Sequence, residues 1–266
     1  MSTRQQITAL VLGCLLVLAG AIYGVVKAVP LFLSGVVWLV PLSVENKLGE
    51  AVVAGMIQRD ALCEEVETRA LMDAIVERLR LASPPNPYRF EVRVVRNAQV
   101  NAMAAPGGHV IVFSGLIDRM DNPEQVAAVL AHEMQHVIQR HSMKGIVRAL
   151  GMQAFLSIVV GDLGILGDLA GNLGSLHFAR SDELSADDGA VDTLLRAGIG
   201  PAQMEQAFQN LAKSSGEDPM GASLKYLSTH PPLAERIARV RERSAGKAFS
   251  NRPIGVRMAQ PCAASN

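Results

Sequence analysis

The stretch "NPEQVAAVLAHEMQHVIQRH", Asn122–His141, carries three histidines and, beside the first of them, Glu133 on what its spacing predicts to be one helix. Asn122 supplies an N-cap, Pro123 takes the first helical position and Gln125 the third, so the helix starts here. At about 100° per residue, His132 and His136 stack on one face about 40° apart and can share one metal ion. His141 falls about 180° from His132, on the opposite side, which removes it from such a site. Glu133 is offset by about 100°, too far round to be the natural third ligand but near enough to reach a water on the metal. Neutral imidazoles suit Zn2+, which in catalytic sites keeps three protein ligands and an open position. Glu133 would then take the proton of the attacking water and deliver it to the leaving amide nitrogen. Strings of this HExxH form also arise by accident on surface helices, so a third ligand decides the matter.

The next candidate helix lies in "HFARSDELSADDGAVDTLLRAGIGP", His177–Pro201, which stops at Gly198 with Gly200-Pro201 beyond it. Glu183 and Asp187 share a face of it. A glutamate here could complete a zinc site begun on the other helix, and a carboxylate one turn later could accept the free N–H of a ligand histidine. The plainer alternative is a solvated acidic face. Upstream, "ENKLGEAVVAGMIQ" and "ALCEEVETRALMDAIVERLRL" have apolar residues at helical spacing, and "SPPNP" (Ser83–Pro87) ends the second. "YRFEVRVVRN" alternates as a strand does, and "VNAMAAPGGHVIVFSG" reads as two extended pieces joined around Pro106-Gly107-Gly108. Strands and helices are segregated along the chain, which predicts an α+β fold, mainly helical, with one small sheet.

The 266 residues suit one catalytic-size core plus an appendage. Lysine plus arginine number 25, as do aspartate plus glutamate, so no net field gathers nucleic acid, and none is expected as a partner. Residues 7–26, "ITALVLGCLLVLAGAIYGVV", hold no charge and are about as long as a helix needs to cross a bilayer. An uncleaved anchor is the favoured reading, with a signal cleaved after Ala19-Gly20-Ala21 and a poor lipoprotein box at Cys14 as rivals. Pro30 is expected to interrupt the helix, leaving "AVPLFLSGVVWLVPLSV" along the membrane surface, with Trp38 as an interfacial residue, or as a second short span. Residues 1–40 thus form the membrane segment, 41–245 the catalytic domain and 246–266 a loosely ordered tail. Cys63 and Cys262 are a possible but unforced pair, two separate thiols being the plainer reading.

Five stretches in this order resemble one family: "PLSVENKLGE", "NAMAAPGGHVIVFSGL", "HEMQH", "ARSDELSAD" and "THPPLAERI". Over roughly Pro41 to Val240 the chain resembles the HtpX-like and Ste-twenty-four-like zinc metallopeptidases, peptidase family forty-eight of the gluzincin group. The resemblance implies a compact zincin fold, one zinc ion held by His132, His136 and Glu183, Glu133 as general base, and Asp187 orienting His132. It also implies that the strand around Asn101, Ala102, Met103 and Ala104 lies beside the cleft, where an extended peptide pairs with the sheet edge. His230 matches the family's Thr-His-Pro motif. As a donor it would stabilise the oxyanion; as a fourth ligand it would fill the open position and regulate, which is the reading preferred here over the donor, with a local loop role before Pro231-Pro232 as the remaining alternative. Arg236 neutralises Asp187 or Glu183, or belongs to a solvated basic face. His109 and His177 show no partner pattern.

Between the two metal helices, "ALGMQAFLSIVVGDLGILGDLAGNLGSL" is apolar but interrupted by Asp162 and Asp168, so a buried helical hairpin is expected rather than a span. The expected function is a membrane-anchored zinc endopeptidase of the bacterial inner membrane. Its domain faces the periplasm and acts on unfolded or misassembled envelope proteins; export after signal cleavage is the alternative location. Protein substrates and zinc suffice, with no organic cofactor. The competing readings are a periplasmic chaperone or adaptor with a structural zinc site, which would not need Glu133, and a prenyl-protein protease, for which the apolar spans are too few.

Overall fold

The computed structural model describes residues 3–57, 61–159, 178–217, 226, 230, 233–259 and 262. The chain divides into two compact units, Met1–Val40 and Pro41–Asn266. The first contains one long helix, α1 (Thr3–Trp38), whose Leu10, Leu12, Leu15, Leu16, Val17, Leu18 and Ile22 are exposed. The helix continues through Pro30, contrary to expectation. A proline removes one backbone bond but leaves the turns on either side able to form, so an otherwise strongly helical segment continues past it. Among the described residues no helix is long and apolar enough to cross a membrane.

The second unit is α+β. Two amphipathic helices, α2 (Leu42–Ile57) and α3 (Val66–Ala82), lead into a small mixed sheet. In it β1 (Glu91–Val95) runs parallel to β3 (His109–Phe113), and β2 (Ala102–Ala104) lies antiparallel on the other side of β3, giving the order β1-β3-β2. A single 3-10 turn, Pro106–Gly108, joins β2 to β3, and Gly107 takes φ 74°, a conformation that penalises any side chain. A Cβ there would also strike Asn46 of α2, so the "ENKLGE" helix is seated directly on the turn.

After the short helix α4 (Ser114–Ile117), α5 (Pro123–Ile138) runs through the centre of the unit. Every residue from Gln125 to Val137 is buried, which is the condition of a helix packed on all sides. The cap is as expected: the Asn122 side chain accepts from the Gln125 N–H, with Pro123 in the first turn. Five further helices follow among the described residues, the first four being α6 (His141–Leu150), α7 (Met152–Val159), α8 (Arg180–Ala197) and α9 (Ala202–Glu217). The last is α10 (Leu233–Ser244). The apolar residues of α3 (Leu71, Ile75, Leu79), the sheet, α5, α8 (Ala190, Val191, Leu194) and α9 (Met204, Phe208, Leu211) form one core. The hairpin expected between the metal helices falls largely on 160–177, outside the described residues, as does His177.

Among its described residues the tail forms no helix or strand, yet it is fastened at several points. The Arg252 N–H donates to the Gly198 carbonyl (2.8 Å), the Ile254 N–H to Glu124 Oε1 (2.9 Å), and Arg78 donates to the carbonyls of Ala197 and Arg252. Cys262 then joins Cys63 in a disulfide, with Cα atoms 5.6 Å apart and a sequence separation of 199. This overturns the reading of two separate thiols. Spacing along the chain carries no information about a pair that only the folded tail brings together.

Candidate metal centre

Four buried side chains from three parts of the chain converge: His132 and His136 of α5, Glu183 of α8, and His230 just before α10. Their potential ligand atoms all lie within 4.8 Å of one another. His132 Nε2 is 2.9 Å from His136 Nε2 and 3.5 Å from Glu183 Oε2, while His136 Nε2 is 3.3 Å from Glu183 Oε1. His230 directs Nδ1 at the same point, 2.9 Å from Glu183 Oε1 and 3.4 Å from His132 Nε2. Two imidazoles, a carboxylate and a third imidazole make a donor set suited to zinc. Where α5 meets α8, Gly189 leaves room for the Gln135 side chain: a Cβ there would stand 2.3 Å from Gln135 Oε1, so a larger residue would force that side chain to move.

Glu133 lies beside the cluster, and both of its carboxylate oxygens are buried without a hydrogen-bond donor among the described residues. Its Oε1 is 3.7 Å from His230 Nε2, too far for a hydrogen bond. An unserved carboxylate next to three imidazoles is a costly arrangement in a folded protein. It becomes intelligible if a water and a cation belong beside it.

Around the cluster the charges are paired. Asp187 Oδ1 lies 2.9 Å from His132 Nδ1, and Arg236 donates to both oxygens of Asp187 (Nε to Oδ2 and Nη2 to Oδ1, 2.8 Å each). Arg236 Nη1 is 3.0 Å from Glu183 Oε2 and donates to the His230 carbonyl at 3.3 Å. The guanidinium also sits 4.3 Å from the centre of the Phe208 ring. Of the two roles read for Arg236 from sequence, the solvated face is therefore ruled out: the residue is fully buried. Burial opposes ionisation of Asp187, but Arg236 and then His132 overcome it and hold the carboxyl below its usual range. Burial likewise opposes ionisation of Glu183, but His230, His132 and His136 prevail and hold it well below that range. For His132, burial and Arg236 favour the neutral ring, yet Asp187 and Glu183 outweigh them and hold its pKa near 9. For His136, burial and the neighbouring His132 dominate and push it down to about 3.

His141 is a correction. The helix on which its angle was extrapolated ends at Ile138; Arg140 takes φ 56°, and His141 opens a new helix in a new direction. Its Nδ1 comes 3.1 Å from His136 Nδ1 instead of lying on the far side. Burial, then His136, pushes its pKa down to about 2. The bend itself is fixed by a buried group that the sequence reading missed. Arg140 lies 3.0 Å from Glu45 Oε1 and donates to the Tyr88 hydroxyl at 3.1 Å, and that hydroxyl donates to Glu45 Oε2 at 2.9 Å. Also missed were Phe178, whose ring centre is 3.9 Å from that of His136, and Tyr226, stacked on His230 at 4.5 Å. His109 sits at the start of β3 beside Arg93 and Glu91, away from these groups in the contacts it makes. Asn101 and β2 are buried against α5, and Ser142 of α6 donates to the Ala104 carbonyl at 2.8 Å.

Residues 64–244 match the model of peptidase family M48. Metalloprotease LoiP of Escherichia coli is 33% identical over 201 residues, 69% of this chain and 78% of LoiP. The mitochondrial metalloendopeptidase OMA1 of Schizosaccharomyces pombe is 31% identical over 179 residues, 66% of this chain and 52% of that protein. The beta-barrel assembly-enhancing protease of Escherichia coli is 32% identical over 185 residues, 62% of this chain but only 37% of the relative.

Proposed function

The chain belongs to peptidase family M48 and is a zinc metalloendopeptidase, and from that premise we propose that His132, His136 and Glu183 hold the ion and Glu133 is the general base. Zinc, when bound, acidifies a water and polarises the scissile carbonyl. Glu133 accepts the proton of the attacking water and passes it to the departing amide nitrogen. Asp187, itself clamped by Arg236, holds His132 so that Nε2 faces the ion, and Arg236 offsets the negative charge of both carboxylates. The substrate is an extended chain that pairs with β2, an edge strand of the sheet among the described residues, through backbone groups of Asn101 to Ala104 other than the Ala104 carbonyl, which Ser142 occupies.

The observation that carries this reading is the buried, donorless carboxylate of Glu133 beside the ligand cluster. A site that only holds the fold together has no use for it. Glu133→Gln keeps the shape and the ion but removes the proton acceptor, so cleavage of an unfolded protein such as casein should fall by at least about 100-fold. Unchanged cleavage would reject Glu133 as the base, and an equal loss of substrate binding would favour the adaptor.

His230 is read as a fourth ligand that closes the open position. The direction of Nδ1 into the cluster supports this, together with the stacked Tyr226 and the bond from Arg236 to the His230 carbonyl, which fix the ring. His230→Ala should raise proteolysis with zinc retained; a fall in turnover with zinc retained would make it an oxyanion donor instead.

The substrates are proposed to be unfolded or misassembled proteins of the bacterial envelope, supported by likeness to a beta-barrel assembly-enhancing protease of which the chain spans a minor part. Attachment to the inner membrane by residues 7–26, with the catalytic unit on the periplasmic side, is proposed from the uncharged sequence and the exposed leucines of α1. Carbonate extraction of the full chain, beside a chain lacking residues 1–40, tests it: release of both would refute an anchor.

A further inference from the structure

The two ligand histidines of α5 are backed by different chemistry. Behind His132 stands a carboxylate, Asp187, the usual companion of a metal-bound imidazole. Behind His136 stands another imidazole, its Nδ1 atom 3.1 Å from that of His141, with the two rings inclined at 71°. Two Nδ1 atoms form a hydrogen bond only if one carries a proton and the other does not. The nitrogen of His136 that faces Glu183 and His132 is Nε2, at 3.3 and 2.9 Å. With that lone pair given to the ion, the proton of His136 is on Nδ1, and His141 must receive it with a bare Nδ1. The proton of His141 is then on Nε2, which lies 3.4 Å from Ser185 Oγ and 3.6 Å from Asp182 Oδ1. Asp182 is in turn fixed by Arg148, which donates at 2.8 Å, with Lys144 at 3.9 Å. His141 is 1% exposed, so no bulk water competes for its Nδ1.

We propose that His141 is a positioning residue of the metal centre: its neutral imidazole accepts the Nδ1 proton of His136 and so fixes the tautomer and ring orientation that present Nε2 to zinc. Ser185, on the helix that also supplies Glu183, is the group within hydrogen-bond distance of Nε2, and the Asp182 carboxylate beside it favours a proton there, which leaves Nδ1 to accept. The bend at Arg140 is what delivers it, since a straight continuation of α5 would carry His141 away from His136. An imidazole acceptor adds no negative charge, so the anionic character of the centre stays with Glu183 and Asp187.

The inference rests on His136 being a ligand, and the test separates the two claims. Zinc affinity of the full-length protein is measured by competition with a chelator for His136→Ala, His141→Leu and His141→Asn. Asn places an oxygen close to where the His Nδ1 stood and can accept; Leu fills similar space and cannot. His141→Leu should weaken zinc by about 10–100-fold, and His141→Asn should restore most of that loss. Equal losses in Leu and Asn, or none in Leu, would overturn the inference, and if His136→Ala still loses zinc the ligand assignment survives. Unchanged zinc in His136→Ala would overturn both. Should His141→Leu fail to fold, 15N-histidine NMR of the zinc-loaded wild-type protein decides alone. His141 is expected protonated at Nε2 and bare at Nδ1, with a downfield Nδ1 proton on His136, and the opposite tautomer of His141 would refute the proposal.

Discussion

Helices α8 and α10 are joined by aspartate–arginine pairs on two sides. On the inner side Arg236 grips Asp187 with two donors, both residues fully buried. On the outer side Arg239 binds Asp188, and Arg243 and Lys247 bind Asp192, with side chains substantially exposed. The hydrogen-bond lengths are nearly the same, so geometry alone would rank the pairs as equals. Burial separates them. In water each partner of an outer pair loses little if the other is removed, because solvent and salt take its place. Inside, the partner left behind keeps its charge with nothing to answer it. The inner pair is therefore costly to break, and its use is to orient His132 and balance Glu183.

Arg236→Ala should be the most damaging change, because it leaves Asp187 and Glu183 buried without their cation; we expect about 3–5 kcal/mol of lost stability by urea unfolding of the zinc-free protein. A loss under about 1 kcal/mol would place the inner pair in the same class as the outer ones. Next comes Asp187→Asn, which keeps the shape but weakens the acceptor behind His132, so zinc affinity should drop by about 10–100-fold in a chelator competition. Acid provides a third comparison. The Asp187 carboxyl is held below its unfolded value of about 3.9, so its contribution is fully present above that pH and is lost as pH falls through the folded-state value. The stability gap between the wild type and Asp187→Asn, followed by urea unfolding of the zinc-free proteins at a series of pH values, should thus close towards low pH; a gap that widened would invert the sign. The smallest effect belongs to the outer face. Asp192→Asn should cost about 0–1 kcal/mol at low salt and almost nothing at about 1 M salt, where screening acts over roughly 3 Å.

Much of the centre was legible from sequence because its parts are periodic. The stacking of His132 on His136, the start of α5 at Asn122 and the shared face of Glu183 and Asp187 follow from helical spacing. The strand pair around Pro106-Gly107-Gly108 was legible because glycine and proline mark where the chain turns. The readings that failed assumed that a periodic element keeps its direction. His141 was assigned to the far side because nothing in "IQRH" announces a left-handed arginine, and that bend is paid for by Glu45 and Tyr88, remote in sequence. Pro30 was expected to stop a helix that continues through it. Arg236 could not be separated from its surface neighbours in "LAERIARVRER", since burial is a property of the assembled core and not of the local pattern. The tail lacks any periodicity, and its order comes from bonds to Gly198, Glu124 and Cys63 that no local rule foresees.

The bridge from Cys63 to Cys262 also sets a clock. For a chain that emerges N-terminus first, at about 5–20 residues per second, the sequence separation of 199 between the two cysteines takes roughly 10–40 s to cover. Throughout that interval Cys63 is a thiol awaiting a partner that does not yet exist. The covalent form of the catalytic unit is thus decided late, after every helix of the metal centre has been made.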